Sequence, residues 1–187
     1  MPITLNGSGT VSGISAGGLP DGIIQSADLA SGVGGKIIQV VQTFKTDSAS
    51  QTGNSSTTFY DISGMSVAIT PTSSSNKILV MYTIQVANSG NSGRGNLMRL
   101  LRGSTVIGNS TTGAIENVQI YHRTVQNNPE TKNMMYLDSP NTTSATTYKI
   151  QWSVEGSGGS ATTSYLNRNS GGGYGTTSHI TVMEVAV

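Results

Sequence analysis

Cysteine is absent from the 187 residues. That excludes a disulfide framework, thiolate chemistry and any sulfur-ligated zinc site. Charge is scarce as well: Asp, Glu, Lys and Arg make up 10% of the chain, against about 25% in an average soluble domain. Ten basic residues face nine acidic ones, so no bulk charge is available to hold nucleic acid. Aromatic residues are 5%, too few for the stacking platforms of single-strand binders. The sequence therefore gives no nucleic-acid partner. No apolar run approaches the roughly 18–20 residues of a membrane span. The opening Met1-Pro2-Ile3-Thr4-Leu5-Asn6-Gly7 has neither a basic segment nor an apolar one, so no signal peptide and no membrane insertion are expected.

Gly, Ser, Thr and Asn together form nearly half of the chain. The apolar fraction is 35% and rich in Val and Ile, enough for a thin core. Two regions differ in character. Residues 1–35 hold nine Gly, no Lys or Arg, and the acids Asp21 and Asp28. All ten basic residues and the other seven acids lie in 36–187, giving +3 there and −2 in the leader. Apolar anchors spaced along the leader among its glycines (Leu5, Ile14, Leu19, Ile24 and Leu29 among them) cannot build a core of their own. A flexible linker is one reading. A docking peptide that orders against a partner is the other, and the anchors favour it because a pure spacer needs none. A helical turn starting at Ser26 and stopped by Gly32 fits this leader.

From residue 36 onward the pattern is strand after strand. Tyr148, Ile150, Trp152 and Val154 share one face, with Lys149, Gln151, Ser153 and Glu155 on the wet face. Ile78, Val80, Tyr82, Ile84 and Val86 repeat the alternation, although Leu79 and Met81 make that strand apolar on both sides. Met65, Val67 and Ile69 form a third before Pro71. Residues 36–44, 96–102, 118–125, 132–137 and 179–187 are further candidates. Gly103-Ser104 reads as a tight hairpin into Thr105-Val106-Ile107. No window of helical length shows the 3.6-residue period. Nine or ten short strands with polar turns predict an all-β, antiparallel sandwich of jelly-roll type over 36–187, preceded by an extended Gly-rich segment over 1–35.

The last strand, Ile180-Thr181-Val182-Met183-Glu184-Val185, is apolar on nearly both faces. A central strand with an ordinary cover is one account. The other places Ile180, Val182, Met183 and Val185 at a three-fold axis, in a trimer of the tumour-necrosis-factor type, where Glu184 would need a partner such as an Arg from a neighbour.

Two stretches resemble known proteins. Leu5-Asn6-Gly7-Ser8-Gly9-Thr10-Val11-Ser12-Gly13-Ile14, then Gly17-Gly18-Leu19-Pro20-Asp21-Gly22 and Ala27-Asp28-Leu29-Ala30-Ser31-Gly32, are similar to N-terminal segments of tailed-bacteriophage fibre and related virion proteins. Ile38-Gln39-Val40-Val41-Gln42-Thr43, Ser75-Asn76-Lys77-Ile78-Leu79-Val80, Arg99-Leu100-Leu101-Arg102-Gly103-Ser104-Thr105 and Ile180-Thr181-Val182-Met183-Glu184 resemble a domain at the C-terminal ends of such proteins. The resemblance implies a virion surface protein and a homotrimer. Its leader, through Leu5, Ile14, Leu19, Pro20, Asp21, Ile24 and Leu29, would fix it to other virion proteins of tail, baseplate or capsid. It further implies assembly in the host cytoplasm and residence in the virion. Two roles fit: a short tail fibre or fibre tip for host adhesion, or a capsid decoration protein that stabilises the shell.

The search for chemistry gives no catalytic residues, no metal ligands and no cofactor. His122 and His179 form no metal-type pair, and no Gly-x-Ser-x-Gly elbow is present. The Gly-rich runs at 90–95 and 171–173 lack a Walker pattern and a following helix. The Met134-Met135-Tyr136 run reads as core, and so does Trp152. Tyr165, Arg168 and Tyr174, set among Gly, Ser and Asn, have the composition of an adaptable binding loop for a host surface glycan or protein, and equally of plain surface loops.

Overall fold

The computed structural model describes residues 36–89, 95–111, 128–156 and 160–187, together with the backbone of 120–123. Ile37–Val187 clusters as one compact unit. The described residues hold strands and no α-helix: β1 (Ile37–Lys45), β2 (Ala49–Gly53), β3 (Ser55–Ile69), β4 (Lys77–Asn88), β5 (Gly95–Arg102), β6 (Thr105–Ile107), β7 (Ile120–Arg123), β8 (Glu130–Asp138), β9 (Thr146–Val154), β10 (Thr162–Leu166) and β11 (Ser178–Val185). Every pairing between strands is antiparallel.

Several of these strands are halves of one. Along one edge of β4, β11 pairs with 77–83 and β10 with 86–88, while β1 and β2 lie outside β11 and β10 in turn. β8 takes the other edge of β4. In the second sheet β9 joins β3 to β5, and β6 and β7 share the far edge of β5. Counting the halves together leaves eight strand positions, ordered 1-8-3-6 in the first sheet and 2-7-4-5 in the second. Two four-stranded sheets interleaved in this way are a jelly roll.

Alternation explains the layers. Ile78, Val80, Tyr82, Ile84, Ile180 and Val182 point inward from the first sheet, and Met65, Val67, Ile69, Met98, Leu100, Tyr148, Ile150 and Trp152 from the second. Trp152 is buried, as its strand pattern requires. The Arg102–Thr105 hairpin forms as expected, with Gly103 at φ 58°. Three readings need correction. β2 and β10 are strands that the sequence did not announce, because they are polar and owe their form to pairing along β4 and each other. β3 starts ten residues before Met65, with register shifts between Ser55 and Tyr60 and between Asp61 and Ser66. Ser153 is buried and not on a wet face: its hydroxyl donates to the Ser56 carbonyl at 3.0 Å.

Two polar clasps hold one end of the sandwich. Ile78 pairs with Asp138 on one side and Glu184 on the other, so both buried carboxylates share its row. Asp138 accepts from Arg102 Nη1 at 2.9 Å to each oxygen and from the Tyr148 hydroxyl at 2.7 Å, tying β8 to the opposite sheet. Glu184 is the second clasp. Its Oε1 accepts from the Thr72 amide (2.7 Å), the Thr72 hydroxyl (2.8 Å) and Asn76 Nδ2 (2.6 Å), and its Oε2 from Gln39 Nε2 (2.6 Å). The partner expected from a neighbouring subunit is thus supplied by neutral donors of the same chain.

Candidate functional site

The two sheets differ on the faces they turn away from the core. On the second sheet the outer face carries a charged cluster beside two buried leucines, Leu97 and Leu101. Asp61 accepts from Lys149 Nζ at 2.9 Å and from Gln151 Nε2 at 2.6 Å. Arg99 Nε donates to Gln151 Oε1 at 2.8 Å, and the Arg99 guanidinium lies 4.0 Å over the Phe59 ring. Hydrogen bonds from Lys149 and Gln151 hold the Asp61 carboxyl below the usual carboxylate range against a small effect of burial.

The outer face of the first sheet is uncharged in its three central rows, where seven of twelve side chains are apolar. Residues that alternate with the core members of β4 are Leu79, Met81 and Thr83, and the register lines them up across four strands. One row reads Val40, Met183, Leu79, Leu137; the next Gln42, Thr181, Met81, Met135; the third Phe44, His179, Thr83, Asn133. The Phe44 and His179 rings stack with centroids 6.1 Å apart and 8° between planes. A shallow groove of about 400 Å³ runs between Met81, Thr83, Asn133, Met135 and His179. Among the described residues, eight exposed large apolar side chains lie in strands, and seven of them belong to this sheet: Ile37, Ile38, Val40, Phe44, Met81, Met135 and Leu137. Tyr60 is the eighth.

The residues singled out from the sequence are distributed as follows. Ile180 and Val182 are fully buried inside the protomer between the two sheets, so they cannot line an axis between subunits. Met183 and Val185, on the opposite face of β11, point outward and are half-buried. β11 is a central strand, with β1 and β4 at its sides. Met135, read as core from its run, is 62% exposed, while Met134 and Tyr136 pack against the core. Tyr165 and Arg168 do come together: the guanidinium stacks 4.2 Å over the ring. Tyr174 is 73% exposed on the loop between β10 and β11. That loop is braced by its own bonds, Gly173 N to Asn169 Oδ1 at 2.8 Å and Thr176 N to the Asn167 carbonyl at 2.9 Å, and Arg168 bridges Gly175. The docking residues Leu5, Ile14, Leu19, Pro20, Asp21, Ile24 and Leu29, the turn at Ser26 and the His122 side chain lie outside the described residues. Among the described residues no three His, Asp or Glu groups converge on a metal-sized space.

The exposed face was missed from the sequence, though part of its signal was visible. Leu79 and Met81 doubled the apolar count of β4, and Val40 and Phe44 lie on the alternate positions of β1.

No protein-family model matches the chain, and no curated protein matches it. Solved structures of infectious bursal disease virus are similar over part of their length. The Gx strain is 12% identical with a TM-score of 0.43, over 80% of this chain and 37% of that one. Virus-derived T=1 particles are 11% identical with a TM-score of 0.42, over 80% and 36%. The VP2 subviral particle is 16% identical with a TM-score of 0.34, over 80% and 37%. This chain therefore spans little more than a third of the length of the structures that it matches.

Proposed function

We propose that this chain is a structural subunit of a virus particle: a short tail fibre or fibre tip of a tailed bacteriophage, assembled as a homotrimer in the host cytoplasm. Residues 1–35 tie it to other virion proteins, and the sandwich faces outward for adhesion to a host surface glycan or protein. One observation carries the reading. A sandwich that leaves Val40, Phe44, Met81, Met135 and Leu137 exposed together on one sheet is a protomer made to be covered. The jelly-roll order supports it, because this architecture recurs in viral capsid and lectin domains, although a fold by itself assigns no activity. The leader's resemblance to virion segments supplies the tailed-phage assignment. Three copies of a weak loop site around Tyr165, Arg168 and Tyr174 would adhere through avidity.

The test is to locate the chain in purified particles by mass spectrometry and imaging. A few copies at a tail extremity are expected. Many copies spread over the shell would replace the fibre role with capsid decoration, and absence from particles would overturn both.

A further inference from the structure

We infer that the apolar outer face of β1-β11-β4-β8 is covered by a neighbouring copy of this same chain, and not by the particle or a host partner. The inference rests on the self-assembly half of the proposed function and is independent of where in a virion the assembly sits.

Size comes first. Val40, Phe44, Met81, Met135 and Leu137, with Ile37 and Ile38 at the rim, each keep between 37% and 62% of their surface exposed. Side chains of this size then offer a patch on the order of 600 Å². That is the upper end of what a typical monomer leaves open and about three quarters of the ~800 Å² per partner of a standard interface. Charge comes second. The three rows contain no carboxylate, no Lys and no Arg; Lys77 stands at the border, opposite Val185. A charged partner would find nothing on this face to read, since electrostatic complementarity needs charge on both sides. A neighbouring copy, by contrast, meets no like-charge repulsion there. Shape comes third. Four strands about 4.8 Å apart form a surface roughly 15–20 Å wide. Met81, Met135 and Met183 lie in adjacent rows, and their unbranched thioethers adapt to whatever they meet. Among the described residues β8 lies at the edge of this sheet, and its outward positions hold Met135 and Leu137 without a Lys or Pro among them.

The experiment uses the purified full chain at about 50 μM, with mass read by sedimentation equilibrium and fold by far-UV circular dichroism. The wild type is expected at a multiple of 19.3 kDa. Met135→Lys with Leu137→Lys should return it to 19.3 kDa with an unchanged spectrum, since both side chains already face out of the protomer. Ala68→Lys, at an exposed position of β3 in the other sheet, should leave the assembly intact. A second readout requires no variant of the face to fold: peroxide should oxidise Met135 several-fold more slowly in the assembly than in diluted, dissociated protein. A monomeric wild type overturns the inference. So does an unchanged mass in the double Lys variant, or equal oxidation of Met135 in both states. A monomer whose Met135 is protected only on particles would hand the face to a shell protein and also overturn it. An oligomer that is absent from particles leaves this inference standing and overturns the virion reading alone.

Discussion

Glu184 is an ionised carboxylate with none of its surface exposed, solvated by four neutral hydrogen bonds from Gln39, Thr72 and Asn76. Burial alone would push its pKa up, but the donors from Asn76, Gln39 and Thr72 outweigh it and hold the group at about 2, against an ordinary 4.5. The stability this adds is present in full above pH 4.5 and is lost as the pH falls toward 2, because the unfolded chain takes up the proton first. Unfolding free energy measured in urea should drop by up to about 3 kcal/mol across that window. Glu184→Gln should flatten the slope and weaken the protein at pH 7; a slope unchanged in that variant would remove Glu184 as its source. Two glycines separate crowding from backbone strain. A Cβ on Gly156 would stand 2.6 Å from the Ser160 carbonyl and 2.8 Å from Asn54 Cα, so backbone must move. Gly156→Ala should cost about 1–3 kcal/mol by overpacking. Gly103, at φ +58° with nothing within 4 Å, should lose about 1 kcal/mol on the same change, from the left-handed conformation alone. Thermal melts of the two variants decide between these causes.

At the scale of elements, the clasp of Asp138 on β8 with Arg102 on β5 and Tyr148 on β9 joins the two sheets. Burial and then the hydrogen bond to Asp138 push the Tyr148 hydroxyl far above its usual range, so it stays a donor at any working pH. Arg102→Leu strands a buried carboxylate and should cost about 2–4 kcal/mol. Tyr148→Phe should cost about 1–2 kcal/mol. Adding Asp138→Leu to Arg102→Leu should recover part of the loss, since two apolar groups leave no charge unpaired; a double variant no more stable than Arg102→Leu alone would refute this account. These elements also show what a sequence can disclose. β4 and β9 were legible because half-buried strands alternate, and the alternation of Ile78 to Val86 and Tyr148 to Val154 is clean. β2, with the sequence ASQTG, and β10, with TTSYL, carry too few apolar residues to be seen. Met134-Met135-Tyr136 has no change of polarity, so nothing local says that the middle residue faces out. The donors of Glu184 on Gln39, Thr72 and Asn76 lie 108 to 145 residues away, beyond any reading of the local pattern. The apolar outer face was half legible, in Leu79 and Met81, and became a face only when the register put β1, β8 and β11 beside them.

For the molecule as a whole, the order 1-8-3-6 means that the first and last strands of the sandwich are neighbours, so the first sheet cannot close until nearly all of the chain is present. Pairing of Ile37 with Val185 joins its two extremes. Topologies dominated by such distant contacts fold in milliseconds to seconds, and truncation should act very unequally at the two ends. The buried core runs from Ile62 to Val182, so a chain lacking residues 1–35 retains all of it. That chain should melt within about 3 °C of the full-length protein and keep its assembled mass. Removal of 178–187 takes out β11 from between β1 and β4. It deletes Ile180 and Val182 from the core and frees the donors that held Glu184. It also leaves long unpaired edges on β1 and β4, which invite aggregation. The 1–177 chain should therefore show no cooperative melt and should sediment as aggregate, although it has lost fewer residues than the other. A cooperative transition in 1–177, or its loss in 36–187, would show that the closing strand is not what completes the fold.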